Sequence, residues 1–150
     1  MIMNTFTSHM ALLLQAVAIL QLAVAVLNLF LIRVLNWRGE LARVPLLLRQ
    51  VVQVHIWFIS LTLAIFGVIT WRFVNEMAGG TNPVCQWLAA GIGSFWAVRT
   101  VLQVFYYSSS HWRGQLGRTL IHIALLFLYG GFAAVYLWAA FGGAAAAQVP

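Results

Sequence analysis

VVQVHIWFISLTLAIFGVITW, residues Val51–Trp71, is one apolar run interrupted by a single ionisable side chain, His55. It has about the 20 residues that a helix rising 1.5 Å per residue needs to cross a hydrocarbon core of roughly 30 Å. It lacks the dyad alternation of a membrane-barrel strand. Outward from it, three further stretches read the same way: Met10–Ile32, Val84–Tyr107 and Thr119–Phe141. The expected fold is therefore an all-α integral membrane protein, a four-transmembrane-helix up-and-down bundle. It forms a single membrane domain over residues 1–150, with an Ala-rich tail at 142–150. No basic region precedes the first apolar stretch, which is too long for a signal peptide and is followed by no small-residue cleavage site. It reads as a retained span.

Composition supports this class. Of 150 residues, 63% are hydrophobic and 7% charged, against roughly 25% charged in soluble domains. Basic residues outnumber acids 8 to 2, and every one of the basic residues is Arg. Their placement speaks of membrane orientation, not nucleic-acid binding. Arg33, Arg38, Arg43 and Arg49 follow the first span, Arg113 and Arg118 follow the third, and only Arg72 lies on the opposite side. By the positive-inside rule the Arg-rich loops are cytoplasmic and both termini lie outside. The expected location is a bacterial inner membrane, with the lipid bilayer, further membrane subunits or a second copy as partners. Trp37, Trp71, Trp87, Trp112 and Trp138 fall near span ends, where indole rings prefer the interface. Cys85 is the sole cysteine, so it forms no internal disulfide.

The loops add detail. Trp37–Arg49, with Gly39 and Pro45, reads as a short segment along the inner surface. Ala78 to Pro83 reads as a turn whose Asn82-Pro83 opens the third helix.

The ionisable and polar residues inside the spans share a depth. At 1.5 Å per residue, His55 lies about 9 Å beyond Arg49, His122 about 6 Å beyond Arg118 and Arg99 about 12 Å from Tyr107, with Asn28 about 7 to 8 Å from Arg33. Each helix thus places a polar group in its cytoplasmic third. Such groups in a membrane are costly and are functional candidates by default. Helical spacing orders them. His111, Gln115, Arg118, His122 and Tyr129 share one face of the fourth helix, which Ser110 would cap if the helix starts early. Arg99, Gln103, Tyr106 and Ser110 share a face of the third. Ala18, Gln21, Ala25 and Asn28 form a small-and-polar stripe on the first, and Ser60, Ala64 and Gly67 a small-residue seam on the second. The bland readings are interhelical glue for Asn28, Gln21 and Gln103 and snorkelling to the inner headgroups for Arg99.

His55, His122, Arg99, Arg118, Gln103 and Asn28 are the candidate cofactor-binding residues, with His55 and His122 as candidate metal ligands. In an up-and-down bundle the second and fourth helices are diagonal, so the two imidazoles would oppose one another. They would clamp a b-type haem, with Arg99 or Arg118 near its propionates. Gly91, Gly93, Gly130 and Gly131 would let a flat ring approach closely. An arginine-rich, acid-poor site also suits a quinone or a phospholipid headgroup. The only acids, Glu40 and Glu76, lie outside the spans, which disfavours a carboxylate proton path or a dinuclear carboxylate centre. Phosphate-loop and paired-cysteine metal signatures are absent.

The segment HWRGQLGRTLIH, His111–His122, loosely resembles the His-and-Arg segments of the haem-bearing membrane anchors of respiratory complexes. That resemblance implies a redox setting at the level of fold and transfers no residue roles. The expected function is a small membrane subunit of a redox or respiratory-type electron-transfer assembly, binding b haem or quinone. The alternatives are a non-catalytic structural subunit and a small enzyme acting on lipid with a histidine as general base.

Overall fold

A computed structural model describes residues 2–34, 38–106 and 116–146, and among these the chain is helical with no strand. The helices are α1 (Ile2–Leu29), α2 (Leu31–Val34), α3 (Arg38–Ala42), α4 (Leu46–Arg72), α5 (Val74–Gly79), α6 (Pro83–Phe105) and α7 (Leu116–Ala146). Four stretches, Thr5–Leu29, Leu46–Arg72, Pro83–Phe105 and Thr119–Gly142, are long and apolar enough to cross a membrane. The third, which carries Arg99 in its interior, has the lowest mean hydropathy, 1.4 against 2.0 to 2.4. The expected all-α, four-span integral membrane architecture is thus present. Phe58, Leu61 and Val68 on α4, and Val98, Leu120 and Phe127 on α6 and α7, are exposed, a surface that suits lipid and not water.

In the first hairpin the starts of both helices differ from expectation. α1 starts well before Met10, and α4 starts at Leu46, so Arg49 sits in its first turn. A helix keeps its backbone hydrogen bonds as it leaves the hydrocarbon, and an arginine there reaches the headgroups with its long stem. Pro45, which cannot occupy a helix interior, marks the start, and its carbonyl accepts from Arg49 N at 3.1 Å. The turn before α6 is shorter than expected, because Ala78 and Gly79 belong to α5, but its Asn-Pro opens α6 as the sequence suggests. Gly80 ends α5 at φ 61, a left-handed conformation suited to glycine, and Asn82 Oδ1 accepts from Val84 N and Cys85 N with Pro83 at the first helical position. Gln86 Nε2 ties the turn together by donating to Gly80 O at 2.7 Å.

The chain divides into two compact units, Gln15–Arg72 and Met1–Leu14 with Phe73–Pro150. In the first, the latter half of α1 runs antiparallel to α4. Ala18, Gln21 and Ala25 are buried, so the small-and-polar stripe is a packed face. Gln21 Nε2 donates to Leu63 O at 3.3 Å. Asn28 Nδ2 donates to Ile56 O at 3.1 Å and to Ser60 Oγ at 2.9 Å. A Cβ on Gly67 would lie 2.8 Å from Leu22 Cγ, which explains why the seam needs a glycine there. In the second unit α6 packs antiparallel on α7. Trp96, Phe132 and Tyr136 are its largest fully buried side chains.

Candidate functional site

The α6–α7 hairpin gathers half of the candidate residues. Trp96, Arg99 and Gln103 fall at i, i+3 and i+7 on α6, one face of the helix. His122, Tyr129 and Phe132 fall at i, i+7 and i+10 on α7. The antiparallel pairing sets Trp96 against Phe132 and Tyr129, Arg99 against Tyr129, and Gln103 against His122.

Gln103 is 3% exposed, and its Nε2 lies 2.9 Å from His122 Nδ1. An amide nitrogen only donates, so with this placement Nδ1 accepts and the neutral imidazole carries its proton on Nε2. Gln103 Oε1 is buried and has no hydrogen-bond partner among the described residues. One turn away, the Arg99 guanidinium carbon sits 4.9 Å from the centre of the Tyr129 ring, within cation–π range. Tyr129 also stacks on Trp96, with centroids 5.1 Å apart and planes at 28°. Phe132 meets Trp96 edge-on at 4.8 Å. The cluster therefore offers charged and neutral donors from Arg99 and His122, one unspent acceptor from Gln103, and an aromatic wall.

The other candidates lie elsewhere. Asn28 is bound to Ser60 and Ile56 in the first unit, an arrangement that serves helix pairing. His55 is exposed on α4 in that same unit, whereas His122 belongs to the second. Arg118 is in the first turn of α7, but its side chain lies outside the described residues, as do Ser110, His111, Gln115, Trp37 and Trp112. Tyr106 caps α6 and is 80% exposed, so it does not continue the Arg99–Gln103 face into the hairpin. Among the described residues no three His, Cys, Asp or Glu side chains gather as a metal site. The glycines expected to admit a flat ring divide. Gly93 packs under Leu137, where a Cβ would meet Cγ at 2.9 Å, while Gly91 and Gly131 face open space.

Sequence reasoning placed Tyr129 on the right face but not in the site, and it passed over Trp96. The available signal was register. Trp96 is one turn from Arg99, far from the span ends near which Trp37, Trp71, Trp87, Trp112 and Trp138 fall.

No protein-family model, curated protein or solved structure matches this chain. Functional inference therefore rests on the chemistry of the Arg99–Gln103–His122 cluster. A guanidinium and an imidazole in one hairpin are groups that suit a carbonyl or an anion. An iron ligand would require the opposite amide placement, with His122 Nδ1 donating and Nε2 free.

Proposed function

We propose that the protein is a small integral membrane subunit whose α6–α7 hairpin binds the headgroup of a quinone-class amphiphile, within a redox or respiratory-type membrane assembly. The Arg-rich loops face the cytoplasm. The observation that carries this reading is the Gln103–His122 hydrogen bond at 2.9 Å, one helical turn from Arg99. It turns His122 Nε2–H into a donor held in position, and the guanidinium supplies a second donor of fixed charge. Quinone carbonyls accept from both. The flat ring suits the Trp96–Tyr129 aromatic wall, and a prenyl tail suits the apolar outer faces of α6 and α7.

The test is a purification in mild detergent, followed by solvent extraction, quinone chromatography and an absorption scan of the same sample. The expected result is about one quinone per chain, lowered at least about tenfold in Arg99→Leu and His122→Leu at equal membrane insertion, as loss of roughly 1.4 kcal/mol of binding requires. A Soret band lost in both His55→Ala and His122→Ala would put b haem in its place. Neither quinone nor pigment would sink the reading and leave the polar residues as interhelical glue in a structural subunit.

A further inference from the structure

The unspent end of the Gln103 amide carries information about the ligand. A buried amide carbonyl without a donor is uncommon in proteins, and inside a bilayer no bulk water is at hand to serve it. Gln103 is 3% exposed, its nitrogen is engaged by His122, and its Oε1 has no partner among the described residues. Arg99 and His122 Nε2–H act as donors, so both are served by any oxygen with a free lone pair. Gln103 Oε1 is served only by a group bearing a proton.

Oxidised and reduced quinones differ in this respect. A quinone oxygen only accepts, so it satisfies the donors and leaves Oε1 unpaired. A quinol oxygen donates its O–H and still accepts through its lone pairs. Gln103 Oε1 therefore distinguishes a ligand that bears a hydroxyl from one that does not. We propose that the α6–α7 hairpin holds the reduced, hydroxyl-bearing form of its ligand more tightly than the oxidised form, with Gln103 Oε1 accepting the hydroxyl proton. This inference rests on the quinone-class reading above. Gln103 is in this account a specificity-determining residue.

Calorimetric titration of the full chain in phosphatidylcholine nanodiscs, with decylubiquinone and with anaerobically reduced decylubiquinol, tests it. The quinol should bind about tenfold more tightly, the equivalent of about 1.4 kcal/mol. In Gln103→Met, which keeps the length but removes the acceptor, the ratio of the two affinities should fall to about one, whatever the absolute values become. A merely structural Gln103 would leave that ratio unchanged. Equal affinities in the unaltered protein, or tighter quinone binding, overturn the preference while the quinone-class reading stands. A ratio that persists in Gln103→Met overturns the role of Oε1. Binding of neither form overturns both readings. The ratio in the unaltered protein decides the matter even if the Met variant does not fold.

Discussion

Arg99 is the residue on which the second hairpin turns. A charged side chain costs up to about 2.5–3.5 kcal/mol at the centre of a span on insertion scales, and Arg99, six residues before the end of α6, bears part of that cost. Here it is half-buried, with its guanidinium 4.9 Å from the Tyr129 ring centre, and a cation–π contact of this kind is worth roughly 0.5–2 kcal/mol. Removing the ring should therefore cost more than removing its hydroxyl. Tyr129→Leu is expected to lose about 2–4 kcal/mol of stability, the sum of a vacated buried aromatic and the lost contact, and Tyr129→Phe only about 1 kcal/mol. Unfolding in mixed micelles with increasing SDS measures both, and equal losses would mean that the guanidinium draws nothing from the ring. Much of this residue-level picture was legible beforehand. The stripe of Ala18, Gln21 and Ala25 is buried as its spacing implies, and Gln103 meets His122, whereas His55 and Asn28, read at a similar depth, lie in the other unit. Trp96 was not legible, because Trp57 is equally deep in its own span yet is 58% exposed where Trp96 is 2% exposed. Depth is a property of one helix, whereas burial depends on which face meets a neighbour.

At the scale of elements, two glycines two residues apart on α6, and so on opposite sides of the helix, separate packing from propensity. A Cβ on Gly93 would meet Leu137 Cγ at 2.9 Å and Leu137 N at 3.1 Å, and the backbone atom has little room to yield. Gly91 meets nothing within 4 Å. Alanine gains up to about 1 kcal/mol over glycine in a helix, while overpacking costs about 1–3 kcal/mol. Gly93→Ala is thus expected to destabilise the hairpin by up to about 2 kcal/mol and Gly91→Ala to be neutral or stabilising by up to about 1 kcal/mol. The same SDS titration reads both, and matching signs would show that α6 and α7 do not approach so closely. The turn leading into α6 gives an independent check. Asn82 Oδ1 accepts from Val84 N at 2.9 Å, and Asn82→Ala should cost about 1 kcal/mol. A loss indistinguishable from zero would mean that water caps the helix equally well. The Asn-Pro signal revealed this start because a cap is a local event. α4 begins five residues before Val51, where the apolar run starts, because a helix does not end where the hydrocarbon does.

For the whole molecule, the four spans were legible because lipid imposes a length and a hydropathy that are written along each segment. In the first unit the stripes of small and polar residues mark the packed faces, whereas the aromatic core of the second carries no such stripe. The ligand was not legible, since acceptors and donors become specific only when two helices bring them together, as Gln103 and His122 do. Orientation depends on a different property, the distribution of arginine between the two sides. Arg33, Arg38, Arg43 and Arg49 lie at or between the first two spans, and Arg113 and Arg118 lie between the third and fourth. Between the second and third there is only Arg72, so the short loops differ strongly in positive charge. With four candidate spans, this charge bias predicts both ends on the outer side, an orientation that fusion reporters test. Alkaline phosphatase fused after Pro150 should accordingly be active and a fluorescent-protein fusion there dark, with the reverse pattern after Gly39. Replacing Arg33, Arg38, Arg43 and Arg49 by Ala while adding arginines between Gly79 and Asn82 should move a fraction of the molecules to the inverted topology. A cytoplasmic signal after Pro150 in the unaltered protein would reverse the orientation. The cluster around Arg99, Gln103 and His122 would then open toward the outer leaflet, and quinol would have to reach it from that side.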